Sequence, residues 1–210
     1  LNIIRILDHK NIARCFQIID CLDHDKLYVV MELCDLGQLM TWSEFKDGYA
    51  YNDQLIEYLY KQYGTDNKFK LAKIIFRQLF EATRYLHERD ISNRDIKVDN
   101  VLGKSGEKGS EIKMIDFTTA RYSPKDLSHQ PAGTPGFRAP EHQFASEAGY
   151  SPKACDIWSL GICLYLFCFG KLPFMAEPEL EPDIKCKNDP ILFPADTHTL
   201  PRLLIEQMPE

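Results

Sequence analysis

Asp95, Lys97 and Asn100 in "NRDIKVDN", together with Asp116 in "MIDF", have the types and order that could move a phosphoryl group. Asp-x-x-x-x-Asn is short enough for one loop. "KVDNVL" and "EIKMIDF" read as short strands flanking the Gly- and Ser-rich turn "GKSGEKGS", so a hairpin would return Asp116 to the side of Asn100. An amide and a carboxylate oxygen meeting there suit Mg²⁺, which takes few protein ligands and completes its octahedron with phosphate oxygens and water. Asp95, one step outside that pair, could accept a proton from a hydroxyl nucleophile. Lys97 would neutralise charge on the transferred group. Taken singly, each Asp reads more readily as a hydrogen-bonded turn cap; the ordered set is what points to chemistry.

The elements that must hold these residues follow from patterning. Leu71, Ile74, Ile75, Leu79, Ala82 and Leu86 keep helical spacing, which predicts a long amphipathic helix over residues 69 to 88 ahead of the loop. A second, apolar helix is expected from about Ala154 to Phe169. Upstream, "LNIIRIL" has the density of a helix end, and "IARCFQII" and "KLYVVMEL" read as an antiparallel hairpin. Residues 41 to 70 are polar and aromatic without a clear period, and a short helix, an insertion and a loop are expected there. Residues 118 to 140 should be irregular.

Bulk properties narrow the class. The chain has 210 residues, 44% hydrophobic and 27% charged, ordinary for a soluble protein that buries a core. A net charge of -6 speaks against nucleic acid as main partner, because phosphate backbones need a basic footprint. Seven cysteines without a C-x-x-C pair suit a reducing, cytoplasmic compartment and neither a disulfide framework nor a zinc site. The longest apolar run, from Ile157 to Gly170, is too short for the roughly 20 residues that span a bilayer, so no membrane association is expected.

Several motifs now agree in order. "NRDIKVDN", "IDF" and "APE" resemble the signature set H-R-D-x-x-x-x-N, D-F-G and A-P-E of eukaryotic protein kinases. "DIWSLG", "HKNI" and "LYVVMEL" are similar to that family's D-x-W-S-x-G helix, its H-P-N-I segment and its fifth strand with hinge. The resemblance implies an α+β, bilobal kinase-like fold: a small-lobe remnant over 1–31, a hinge over 32–37 and the helical large lobe over 38–210. It implies ATP and Mg as cofactors and a protein Ser or Thr hydroxyl as acceptor, the serine/threonine choice resting on Lys97. Asp95 would be the catalytic acid-base residue, with Asn100 and Asp116 as metal ligands. Met31 would be the gatekeeper, Glu32 and Cys34 would bond adenine through their backbone, Leu102 would form the adenine floor, and Gln38 falls where a ribose contact is common. Thr134 matches the Thr that bonds the catalytic Asp and Lys, and Asp156 would hold the loop backbone from the core helix. Met31 and Leu102 read equally as core, and Gln38 as a solvent-facing residue.

The departures carry expectations of their own. Asn93 stands for the His of H-R-D and should leave a softer core behind the loop. Thr118 stands for the Gly of D-F-G and should restrict flipping of Asp116. Arg94 implies docking of an activation-loop phosphate from an upstream kinase, with Ser123 and Ser128 in that loop, although each also reads as a plain solvated serine. Glu141 of A-P-E has no evident partner. No Gly-rich phosphate loop and no V-A-I-K lysine occur in the 210 residues, so the chain reads as a fragment that would transfer little phosphate alone. "GKLPFMAEPELEPDIKCKNDPILFP" resembles the calcium/calmodulin-dependent kinase kinases and related activators of AMP-activated kinase. A catalytically inactive scaffold and a small-molecule kinase are the rival readings.

Overall fold

The centre of the molecule is made by two helices whose sequences dictate their contact. The computed structural model describes residues 2–21, 26–106, 109–143 and 149–174. Helix α3 (Lys68–His87) buries Leu71, Ile75, Phe76, Leu79, Ala82 and Leu86 along one stripe. It packs against α5 (Pro152–Phe169), which is apolar nearly all round and mostly buried. Each fully buried leucine adds about 1.5–3 kcal/mol of apolar transfer energy. Both helices start at capped ends. Asn67 Oδ1 accepts from the Phe69 and Lys70 amides, and Ser151 Oγ accepts from the Ala154 amide. Gly170 in the left-handed region stops α5, its amide donating to Leu166 O at 2.7 Å. Among the described residues α5 is the one helix long and apolar enough to cross a membrane by length and composition; its burial in this core accounts for that apolarity.

Around this pair lie small antiparallel sheets. Short helix α1 (Asn2–Ile6) precedes the hairpin β1 (Cys15–Cys21) and β2 (Lys26–Met31). Strand β3 (Gly37–Gln38) joins β7 (Val101–Lys104) and β8 (Glu111–Met114) in the order β3-β7-β8. Between β3 and β7 come the hairpin β4 (Met40–Ser43) and β5 (Gly48–Tyr51), helix α2 (Asp53–Tyr63), α3, and β6 (Ile91–Ser92). Strand β9 (Arg121–Tyr122) pairs with β6, and short α4 (Pro140–Gln143) precedes α5.

Three expectations need correction. The segment from 41 opens with the β4–β5 hairpin before its helix, because Asp47 at φ 44° and Gly48 turn the chain. Residues Val98–Asn100 form a 3-10 turn, so the strand begins only at Val101. Residues 118 to 140 are largely irregular but include β9. The segment resembling the kinase kinases lies, from residue 175 onward, outside the described residues, as does Cys186; the six described cysteines are free thiols.

Candidate active site

The loop between β6 and β7 is fixed from beneath by Asp156 of α5, only 1% exposed. Its Oδ1 accepts from the Arg94 amide at 2.8 Å, and its Oδ2 from the Asn93 amide at 2.9 Å. His87 Nε2, at the end of α3, also lies 2.9 Å from Oδ2. These bonds hold Arg94 at φ 71°, a left-handed conformation that costs a non-glycine residue about 1–3 kcal/mol. Asn93 then ties the loop to the neighbouring strand end. Its Oδ1 accepts from the Asp95 amide at 2.9 Å, while its Nδ2 donates to Asp116 O at 3.3 Å and lies 3.9 Å from Met114 Sδ.

Asp95, Lys97 and Thr134 form a closed triangle. Thr134 Oγ1 donates to Asp95 Oδ1 at 2.7 Å, Lys97 Nζ donates to Thr134 Oγ1 at 2.9 Å, and Lys97 Nζ lies 3.3 Å from Asp95 Oδ2. A glycine permits this approach: Gly133 has φ 89°, and a Cβ there would stand 2.7 Å from Arg94 O. Arg94, Asp95, Gly133, Thr134, Phe137 and Tyr150 line a small concavity on this side.

Asn100 donates through Nδ2 to Asp95 O at 3.1 Å, and its own carbonyl accepts the Ile115 amide at 2.9 Å, next to Asp116. With its amide nitrogen so engaged, Asn100 has its Oδ1 to offer a cation. Asp116, at φ 60°, accepts at Oδ1 from Thr118 Oγ1 at 2.6 Å and from the Thr118 amide at 3.1 Å. Thr118 thus turns its side chain onto the Asp116 carboxylate, and the left-handed backbone falls on Asp116 instead. An amide oxygen and a carboxylate form an all-oxygen donor set that fits Mg²⁺ shared with phosphate. Among the described residues no three His, Cys, Asp or Glu side chains gather as an all-protein metal cage.

Just after β2, Glu32 is held by three groups. Lys104 Nζ lies 2.6 Å and Lys113 Nζ 3.1 Å from its Oε1, and the Arg14 amide donates to Oε2 at 3.0 Å. Burial alone would raise the Glu32 carboxyl, but Lys104, the Arg14 amide and Lys113 together hold it below the usual carboxylate range. Burial, then the nearby Glu32 charge, pushes the Cys34 thiol up, which leaves it unreactive. Met31 is half-buried and packs on the core beside the hinge. Leu102 is half-buried in β7, paired with Gln38 of β3. The Gln38 side chain donates to Asp99 O at 2.9 Å, which ties β3 to the loop that carries Asp95 and Asn100.

In the segment after Asp116, Arg94 Nη2 donates to Gln130 O at 2.5 Å and lies 3.4 Å from the Tyr150 hydroxyl. Ser123 exchanges bonds with Leu127, its Oγ accepting from the Leu127 amide at 3.2 Å and donating to Leu127 O at 3.1 Å. Ser128 pairs with Tyr150 in a β-bridge. Glu141 is exposed, and its Oε1 lies 3.8 Å from Cys155 Sγ, so a thiol partner replaces the expected lack of one.

Sequence reasoning missed His87, Gly133 and Tyr49, whose hydroxyl reaches Asp99. Only Tyr49 had a local signal: it sits two residues after Asp47, beside the Asp-Gly turn. The other two act through contacts more than thirty residues away in sequence.

A fold of this kind around such a loop is that of the protein kinase class. The chain belongs to the protein kinase domain family, whose profile matches residues 1–198. It is similar to the serine/threonine-protein kinase ppk34 of Schizosaccharomyces pombe, 31% identical over 208 residues that make up 99% of this chain and 53% of that protein. It is likewise similar to the serine/threonine-protein kinase GRIK2 of Arabidopsis thaliana, 32% identical over 207 residues, 97% of this chain and 46% of the relative. The chain therefore spans about half the length of these relatives.

Proposed function

We propose that this chain is catalytic machinery of a serine/threonine protein kinase that transfers the γ-phosphoryl group of ATP to a protein Ser or Thr hydroxyl. The observation that carries the reading is the Asp95–Thr134–Lys97 triangle, which sets a carboxylate, a hydroxyl and an ammonium around one point. Asp95 orients the acceptor hydroxyl and takes its proton as the new oxygen–phosphorus bond forms and the bond to the ADP oxygen breaks. Lys97 offsets the charge on the transferred group. Asn100 Oδ1 and Asp116 would hold Mg²⁺, whose contribution when bound is to neutralise the phosphate oxygens. Met31, Leu102 and the backbone of Glu32 and Cys34 form the nucleotide side. Gln38, committed to Asp99 O, acts on the loop rather than on a ribose. Two relatives named as serine/threonine-protein kinases support the choice of acceptor.

The test uses the full-length protein, ATP with Mg²⁺ and a generic Ser/Thr peptide. Asp116→Ala and Asp95→Asn should each lower transfer by at least about a hundredfold while thermal unfolding stays cooperative. Absent transfer in the folded wild-type protein, or transfer that survives Asp116→Ala, overturns the reading.

A further inference from the structure

The β4–β5 hairpin is unaccounted for by phosphoryl transfer, yet its inward residues reach both sides of the acceptor site. Its base is anchored on the core: Met40 is fully buried, and the Tyr51 hydroxyl donates to Phe167 O at 2.5 Å with the two rings edge-on at 5.6 Å. Further along, the Tyr49 hydroxyl donates to Asp99 Oδ2 at 3.2 Å, and the Tyr49 ring stands edge-on to Phe137 at 5.8 Å. Asp99 sits between Lys97 and Asn100. Phe137, 2% exposed, donates through its amide to Thr134 O at 3.1 Å, and its own carbonyl accepts Ser159 Oγ of α5 at 2.9 Å. Tyr49 therefore touches the segment that carries Asp95, Lys97 and Asn100 and also the segment that carries Thr134. Its cross-strand partner Trp42 braces the ring edge-on at 5.4 Å.

We propose that Tyr49 is a positioning residue for the protein acceptor, fixing the distance between the catalytic loop at Asp99 and the Thr134–Phe137 segment. The inference rests on the kinase reading and gives the hairpin its part in it. Burial first, then the Asp99 carboxylate, pushes the Tyr49 phenol far up, so the hydroxyl keeps its proton and donates across the working pH range. An aromatic pair at this separation and a hydrogen bond to a carboxylate both act through this one side chain. With the Asp95–Thr134–Lys97 triangle still joining the two segments, loss of either contact loosens the surface that seats the acceptor peptide, which reads as weaker peptide binding more than as slower chemistry. The nucleotide side is held by other contacts, those of Glu32, Lys104 and Lys113, so the two substrates should respond differently.

The experiment compares the full-length wild-type protein with Tyr49→Phe, Tyr49→Ala and Asp99→Ala, using ATP and a generic Ser-containing peptide. Tyr49→Phe should raise the peptide KM about three- to tenfold and Tyr49→Ala further, with the KM for ATP within about twofold of wild type. In the Asp99→Ala background, Tyr49→Phe should add little, because the hydroxyl acts through that carboxylate. Tyr49→Phe keeps the ring and serves if the alanine variant does not fold. An unchanged peptide KM, equal shifts in both KM values, or full additivity with Asp99→Ala overturns the inference. If the wild-type protein matches Asp116→Ala in transferring nothing, the kinase reading has failed and this inference falls with it.

Discussion

Replacing Asp156 by alanine should cost more stability than any other single change in the catalytic loop's support. The carboxylate accepts from two backbone amides at 2.8 and 2.9 Å and faces His87 at 2.9 Å, with 1% of its surface exposed. Hydrogen bonds to a charged partner contribute about 1.5–3 kcal/mol each, and a buried donor stripped of its acceptor costs about 1–3 kcal/mol. Relaxing Arg94 out of its left-handed backbone would return about 1–3 kcal/mol of strain and offset part of this loss. Partial relaxation lets water reach some of the freed groups, so the net loss should be about 3–5 kcal/mol. For a domain of this size that lowers Tm by about 6–20 °C. Hydrogen exchange makes the test local: the Asn93 and Arg94 amides should lose protection well before α3 and α5 do. His87→Ala, which spares both amide bonds, should cost about 1 kcal/mol. If Asp156→Ala leaves both amides protected and Tm within about 2 °C of wild type, the carboxylate does not support the loop in this way.

The remaining predictions concern Glu32, strand β7 and the Thr118–Asp116 pair. Glu32→Gln should cost about 1 kcal/mol in denaturant titration at neutral pH, since Lys113 keeps Glu111 at 2.8 Å and Lys104 can turn to water. Because the Glu32 carboxyl is lowered in the folded protein, its contribution is full above the ordinary carboxylate pKa and is lost as pH falls through the lowered value. The stability gap between wild type and Glu32→Gln should therefore close in acid, and a gap that persists there refutes the pairing. Gly103→Ala should destabilise by about 1–3 kcal/mol, because its Cβ would run into Cδ1 of fully buried Leu55; calorimetry reads this directly. Thr118→Val removes the hydroxyl bonded to Asp116 and keeps the shape, so the Mg²⁺ concentration for half-maximal transfer should move by about two- to fivefold with Tm nearly constant.

The sequence announced the parts whose signal is local or periodic. The α3 stripe and the apolar α5 were readable because each helix buries residues at regular spacing. The β7–β8 hairpin was readable because its turn is rich in glycine and serine, and its antiparallel register runs from Val101 with Met114 to Lys104 with Glu111. The β4–β5 hairpin escaped although Met40, Trp42, Tyr49 and Tyr51 share one face in register, because each strand is four residues long and offers two such positions, too short a run for its period to stand out. Asp47-Gly48 was the available cue. The β6–β9 pair, two residues on each side and thirty residues apart, has no sequence signature that could outweigh turn chemistry. Within the site, motif order identified Asp95, Lys97, Asn100, Asp116 and Thr134. What it could not supply was their wiring, since bonds such as Lys97 to Thr134 depend on where the chain returns.

Asn93 shows why wiring matters more than residue identity at a loop's support. Read as a replacement for histidine, it promises only a smaller apolar surface. In the folded chain it is 1% exposed, and four of its groups are engaged: the backbone amide on Asp156, the carbonyl on Thr119 Oγ1, Oδ1 on the Asp95 amide and Nδ2 on Asp116 O. One side chain thereby links the backbone of the proposed proton acceptor to the backbone of the proposed metal ligand. An imidazole in its place has one ring nitrogen to donate and one to accept, pointing in more divergent directions from a rigid ring. Asn93→His should therefore keep one of the two side-chain links at most, whereas Asn93→Leu loses both and leaves the Asp95 amide without its acceptor. Thermal unfolding should rank wild type above histidine and histidine above leucine, and the concentration of Mg²⁺ needed for transfer should rise in the same order. A leucine variant as stable as wild type, with unchanged Mg²⁺ dependence, would show that apolar filling and not hydrogen bonding is what this position supplies.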